Sequence, residues 1–236
     1  RAIVVINPNN PTGAVYSRQT LEGIAELAER HRLLVLSDEI YDQMVYEQAR
    51  FVPMATLVKG SLCATFSGLS KVYRACGYRV GWVSFSGDLE HAGPYLQAMD
   101  LLASLRLCSN VPAQWAVQTA LGGFQSIRQL VSPGGRLHDA RTAVIEGVAR
   151  SRYLTLVPPA GSMYAFIGVD RALLPDFDDN RFALDLLEKQ HVLVAPGISF
   201  NTDYNNYFRI TLLPDPACLG DVFDRIERVL DEYADR

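Results

Sequence analysis

The chain opens on a branched apolar run, Ile3-Val4-Val5-Ile6, and breaks at once into Asn7-Pro8-Asn9-Asn10-Pro11-Thr12-Gly13. A continuous apolar run suits a parallel strand covered on both faces, and the Asn/Pro/Gly cluster ends it in a tight turn. Ser17 then caps a predicted helix to about Arg30, with Leu21, Ile24, Ala25, Leu27 and Ala28 spaced along one face. A second apolar run, Leu33-Leu34-Val35-Leu36, ends in Ser37-Asp38-Glu39-Ile40-Tyr41. Strand, helix, strand is a right-handed crossover unit, which predicts that Asn10 and Asp38 share the carboxyl edge of a sheet. Ligands of open α/β sheets bind at that edge. Further strands are predicted at 62–66, leading into Lys71, and at 79–85, with Arg79 at its start.

Helical patterns follow at 88–104 and 113–121. Ser132-Pro133-Gly134-Gly135 is the clearest break in composition. It divides the chain into 1–131, part of a large domain, and 132–236, a connecting helix at 136–150 with a smaller α+β domain. In the latter, strands are predicted at 154–157, 163–169, 192–195 and 207–212, and helices at 181–190 and 218–233. The fold class is therefore α/β, a mainly parallel sheet with flanking helices plus a smaller α+β domain. With 236 residues, 49% of them hydrophobic, the chain can bury a sizeable core.

Charge narrows the partners. The 22 basic residues are outnumbered by 26 acidic ones and form no run, which argues against nucleic acid or a membrane surface. No apolar run reaches the length of a membrane span. Cys63, Cys76, Cys108 and Cys218 are widely spaced, in no metal-ligand pattern, each beside apolar residues. The expectation is four small buried thiols in a reducing compartment, the cytoplasm, and no metal. The abrupt opening inside a core strand reads as a fragment of a longer chain.

Only three lysines occur, Lys59, Lys71 and Lys189, in a chain that otherwise places arginine at basic positions. A lysine among small and apolar residues, in Ser67-Gly68-Leu69-Ser70-Lys71, can lose its proton and form a Schiff base, as arginine cannot. Asp38, after an apolar strand, is either a turn cap or a carboxylate holding a proton on a heterocyclic nitrogen. Tyr41 is either a core tyrosine or a phenol donor to the same ring. Asn10 is a turn residue or an amide donor to an anionic oxygen. Arg79, with Ser70, Ser67 and nearby backbone N–H groups, either forms a phosphate cup or closes the loop by a salt bridge. Arg209, within Tyr207-Phe208-Arg209-Ile210-Thr211-Leu212, must be paired with an internal acid or a ligand carboxylate.

Taken in order, Asn7-Pro8-Asn9-Asn10-Pro11-Thr12-Gly13, Ser37-Asp38-Glu39-Ile40-Tyr41, Ser67-Gly68-Leu69-Ser70-Lys71, Gly77-Tyr78-Arg79-Val80-Gly81-Trp82 and Phe208-Arg209-Ile210 resemble the class I/II pyridoxal-phosphate aminotransferases of fold type I. The resemblance covers essentially the whole chain and implies pyridoxal 5′-phosphate as cofactor. It makes Lys71 the Schiff-base lysine and proton shuttle, and Asp38 the partner of the pyridine nitrogen. Tyr41 and Asn10 become donors to the ring oxygen, Arg79 and Ser70 the phosphate ligands, and Arg209 the clamp on the substrate α-carboxylate. One position departs from the pattern: many members have serine where Gly68 stands, so Ser70 or Ser67 is implied in its place.

The resemblance also implies a homodimer, and an N-terminal part without counterpart here, so that these residues alone are expected to be inactive. Members acting on aspartate carry an extra arginine just before a Ser-Asn-Pro-like motif. Before Ser109-Asn110-Val111-Pro112 that place holds Leu105, with Arg106 one residue off. The runs 107–114, 121–123 and 132–137 are instead similar to bacterial alanine aminotransferases, implying alanine or glutamate with pyruvate or 2-oxoglutarate. Two rivals share the fold: a carbon–sulfur β-lyase, and the effector domain of a transcription regulator. A third, a cofactor-free α/β domain, needs five matched motifs to coincide.

Overall fold

The structure is a computed structural model and describes residues 1–235. The chain divides into two compact units, residues 1–8 with 15–128, and residues 9–14 with 129–236.

The first unit is built on a four-stranded sheet in the order β1 (Ala2–Ile6), β2 (Leu34–Asp38), β3 (Leu62–Gly68), β4 (Gly81–Gly87). β1, β2 and β3 are parallel, and Ile6 and Asp38, the last residues of β1 and β2, stand in one row with Phe66 of β3, which runs on to Gly68. β4 is antiparallel. A parallel return needs a long crossover, usually helical, and residues 69–80 hold only a single 3-10 turn, Cys76–Tyr78. The antiparallel return carries the chain before β4 back to the edge where β3 ends, with Gly68 opposite Gly81.

Helix α1 (Arg18–His31) is capped by Ser17, whose side chain accepts the Thr20 N–H. Its buried face is Leu21, Ala25 and Ala28, while Leu27 is 46% exposed. That face packs with Val5, Val35, Met54, Val58 and Cys63. Helices α2 (Gly93–Leu105) and α3 (Val111–Gly122) follow. No residue of α2 is buried, and Leu101, Leu102 and Leu105 of α2 and Trp115 of α3 are exposed.

The division falls within the short helix α4 (Ile127–Val131). The second unit has the antiparallel sheet β5 (Leu154–Leu156), β6 (Tyr164–Val169), β8 (Tyr207–Thr211), β7 (Ala195–Pro196), in that spatial order. Helices α5 (Arg136–Arg150), α6 (Asp179–Gln190) and α7 (Pro216–Ala234) complete it. Leu219, Phe223, Ile226 and Leu230 recur along the buried face of α7. Residues 9–14 group with this unit, although the sequence suggested one continuous first domain. Gly13 O accepts the N–H groups of Ala160 and Gly161, each at 2.8 Å. A Cβ on Gly13, where φ is +71°, would lie 2.3 Å from the Pro159 Cβ.

Two expectations require correction. Only Cys63 is buried; Cys76, Cys108 and Cys218 are exposed free thiols. Apolar neighbours in sequence do not bury a residue on the outward side of a helix, as Cys218 beside buried Leu219 illustrates. The predicted strand at 192–195 shrinks to Ala195–Pro196. His191 ends α6 in the left-handed region, and the amides of His191 and Val192 donate back to Leu187 O and Leu186 O. Among the described residues no helix is long and apolar enough to cross a membrane.

Candidate active site

In the first unit, the predicted residues gather where the parallel strands end. Asp38 is the last residue of β2 and is half-buried. Its carbonyl accepts the Asn7 N–H at 3.1 Å, and Glu39 N donates to Phe66 O at 2.9 Å, so its backbone is tied to both neighbouring strands. One carboxylate oxygen, Oδ1, accepts the Ile40 N–H at 3.1 Å, the turn-cap bond foreseen for it. Oδ2 has no partner among the described residues. Tyr41, three residues on, is buried at 4% exposure.

Lys71 follows β3 after Leu69 and Ser70. Leu69 and Val72 are buried on either side of it, at 1% and 2% exposure, and pin its backbone. Leu69 N donates to Val80 O, Ala75 N to Leu69 O, and Arg74 N to Lys71 O, each at 3.0 Å. The Lys71 side chain is half-buried, and its amine makes no hydrogen bond or ion pair among the described residues. Ser70 is half-buried and its hydroxyl is likewise without a partner. Arg79 is exposed, in the left-handed region with φ 53°, and its Nη1 donates to Cys76 O at 2.8 Å. It therefore closes its own loop through a carbonyl, and not through a salt bridge. Gly68 has a steric reason for departing from serine: a Cβ there would meet Val80 O at 2.8 Å and Gly81 Cα at 3.0 Å. The close approach of β3 and β4 leaves room for no side chain at 68.

In the second unit, Arg209 lies in β8 with Ala195 and Phe166 as strand partners. Its Nη1 donates to Asn10 Oδ1 at 2.8 Å. The guanidinium carbon sits 4.3 Å from the Tyr164 ring centre and 4.8 Å from that of Phe200. Nε is buried without a hydrogen-bond partner, and no acid pairs with the guanidinium among the described residues. The internal acid foreseen as one partner is absent from this set; an amide oxygen and two aromatic faces hold the cation instead. The planar fork is thus restrained and left able to take a carboxylate bidentately.

Several residues escaped the sequence reading. Arg74 donates to Ser126 Oγ at 2.6 Å and to Val72 O at 3.3 Å, bracing the Lys71 loop. Its αL backbone, at φ 55°, carries no signature in an arginine. Glu39, 6% exposed, accepts Ser37 Oγ–H and Met54 N–H at Oε1, both at 2.9 Å. Burial pushes the Glu39 carboxyl above its ordinary pKa, against those two bonds, with Asp42 and Asp38 adding like charge. Burial raises Asp42 as well, and burial together with Asp42 raises the Tyr73 phenol.

Because the folded pKa of Glu39 is raised, the folded state binds more protons than the unfolded one from the ordinary carboxylate pKa upward. Stability from this group therefore falls as pH rises through that window to the folded value. Glu39→Gln keeps the Oε1 acceptor and removes the charge. Its urea midpoint is expected to gain on the parent protein as pH rises from the ordinary carboxylate pKa, and an unchanged difference across that rise would rule the sign out.

Comparison with known proteins gives the family. The family model for aminotransferase class I and II matches residues 1–226. The alanine aminotransferase of Mycobacterium tuberculosis is 44% identical over 233 residues, which cover 99% of this chain and 54% of that protein. The glutamate-pyruvate aminotransferase AlaA of Escherichia coli is 45% identical over 234 residues, 99% of this chain and 56% of that protein. The chain spans about half the length of the curated relatives it matches. Among solved structures, an aminotransferase from Escherichia coli superposes with a TM-score of 0.96 at 42% identity, over 99% of this chain and 58% of that one. An alanine aminotransferase from Pyrococcus furiosus gives 0.90 at 35% identity, over 98% and 57%.

Proposed function

The chain belongs to the class I and II aminotransferases, and from that premise we propose that it is the cofactor-anchoring and carboxylate-binding portion of a transaminase. The reaction exchanges an amino group between alanine or glutamate and pyruvate or 2-oxoglutarate, in the cytoplasm. The observation that carries the reading is the pair of unengaged groups in the first unit, the Lys71 amine and Asp38 Oδ2, each on a backbone fixed by its neighbours. Alanine and glutamate are supported by the names of the relatives at 44% and 45% identity.

The family works with pyridoxal 5′-phosphate, which when bound supplies an electron sink for charge developing at the substrate Cα. The donor set here fits it. Lys71 attaches the cofactor through its amine and carries a proton to and from Cα. Asp38 Oδ2 keeps a proton on the ring nitrogen. The Tyr41 phenol and the Asn10 amide donate to the ring oxygen; Asn10 Oδ1 is taken by Arg209, which leaves Nδ2 as its donor. Arg79 and Ser70 hold the phosphate, and Arg209 takes the α-carboxylate. We assign the two domains read from the sequence, 1–131 and 132–236, to the large cofactor-binding domain and the small one, with 9–14 and 129–131 grouping with the latter. The exposed large apolar residues of α2 and α3 support a homodimer.

The test is product accounting with the full-length protein. L-Alanine and 2-oxoglutarate are expected to give pyruvate and glutamate one for one, with no ammonia and no turnover when the oxo acid is omitted. Release of pyruvate and ammonia from an amino acid alone would overturn the reading in favour of the β-lyase. No turnover of any amino acid, with cofactor bound, would favour the regulator domain.

A further inference from the structure

Asp179 lies in the first turn of α6 and is fully buried, at 0% exposure. Its Oδ2 accepts the Ile198 N–H at 2.8 Å, and its own N–H donates to Asn205 O at 3.0 Å. Oδ1 is buried with no hydrogen-bond partner. A carboxylate half satisfied away from water costs stability that a neutral residue would not. Its use is therefore better sought in what it holds. Ile198 belongs to the 3-10 turn Gly197–Phe200, and the Phe200 ring at the end of that turn faces the Arg209 guanidinium carbon at 4.8 Å. Just before the turn, Ala195 is the strand partner of Arg209. Behind the loop, Asp178 caps α6 through the Arg181 N–H and accepts from Asn205 Nδ2 at 3.3 Å. The segment 195–205 is thus fastened to Arg209 at one end and to the start of α6 at two points, all within the second unit.

We infer that Asp179 is a positioning residue for Arg209. By holding the Ile198 amide it sets the Phe200 ring against one face of the guanidinium, with Tyr164 also in ring contact at 4.3 Å. A bidentate clamp needs its planar fork fixed before the carboxylate arrives, since a displacement of about 1 Å can cost on the order of a hundredfold in rate. Asp179 supplies that fixation without meeting substrate. The inference rests on the assignment of Arg209 to the substrate carboxylate.

In the full-length holoenzyme, Asp179→Ala removes the acceptor, and Asp179→Asn keeps an oxygen for the Ile198 amide while giving up the charge. Asp179→Ala is expected to raise KM for the amino-acid donor on the order of tenfold with kcat changed far less. It should weaken inhibition by propionate, a plain carboxylate, by the same factor, and leave cofactor affinity unchanged. Asp179→Asn should restore both values. Where Asp179→Ala does not fold, Asp179→Glu, which keeps the charge on a longer arm, is expected to show the raised KM. A lowered melting temperature with unchanged KM and propionate inhibition would overturn the inference, as would an Asp179→Asn variant as impaired as Asp179→Ala. Arg209→Ala separates the two levels: if it leaves propionate inhibition intact, the carboxylate assignment itself fails, whatever Asp179 variants do.

Discussion

Lys71→Ala in the full-length protein is expected to abolish transamination, with a loss of about 10⁴-fold or more, while leaving the fold intact. The fold should survive because the lysine side chain contributes nothing to it: the amine has no hydrogen bond or ion pair among the described residues. The loop is set instead by Leu69 and Val72 in the core and by the backbone bonds from Leu69, Ala75 and Arg74. The loss should be large because one group performs two tasks, covalent attachment and proton transfer, and the second alone is worth roughly 10²–10⁴-fold. Lys71→Arg is expected to be as damaging, since a guanidinium keeps the charge and cannot give up its proton. Borohydride reduction of the loaded parent protein followed by peptide mass spectrometry should place the cofactor on the peptide containing Lys71, and on no peptide of either variant. Cofactor trapped at Lys59 or Lys189 in the parent would remove Lys71 from the role, as would Lys71→Ala turning over within tenfold of it.

What sequence could reach and what it could not follow from the kind of physics involved. Strands β1, β2 and β3 were legible because unbroken apolar runs punctuated by Asn/Pro/Gly and Ser-Asp clusters allow little else than buried parallel strands. Once those strands are parallel, chain order brings Asp38 and the Lys71 loop to one edge with no further information. The antiparallel sense of β4 was not foreseen; it follows in the structure from the lack of a helix between 68 and 81 that could carry a parallel crossover. The surroundings of Arg209 were not legible. A lone cation in a strand demands a partner, and the expected one is an acid or a ligand carboxylate. The partners present are Asn10, distant in sequence, and the rings of Tyr164 and Phe200, which come together only through the β6, β7 and β8 pairing. Asp179 and Glu39 were invisible for a related reason. A carboxylate reads as surface in sequence, and only three-dimensional burial shows that each gives one oxygen to a backbone amide, that of Ile198 or of Met54. Cysteine burial failed because adjacency in sequence was taken for adjacency in space.

Asp38→Asn is expected to lower kcat by roughly 10²–10³-fold with little change in melting temperature, the range for removing one partner of a desolvated charge pair. The argument separates the two oxygens. Oδ1 serves the turn by accepting the Ile40 N–H, and asparagine can keep that bond with its own carbonyl oxygen. Oδ2 is engaged by nothing among the described residues, and an amide nitrogen in its place donates where a carboxylate accepts. The substitution therefore spares the end of β2, whose backbone is held by Asn7 N and by the Glu39–Phe66 bond, and removes only the ability to hold a proton on the cofactor ring. Asp38→Glu retains the charge but moves it by a methylene from a strand end fixed on both sides, so partial recovery is expected, intermediate between asparagine and the parent. The spectrum of the bound cofactor as a function of pH provides the check independent of turnover. Loss of the carboxylate should lower the pH at which the ring nitrogen gives up its proton, whereas a carboxylate that served only the turn would leave that titration where it was. Turnover within a few-fold of the parent in Asp38→Asn, with an unmoved titration, would return Asp38 to the role of a turn cap.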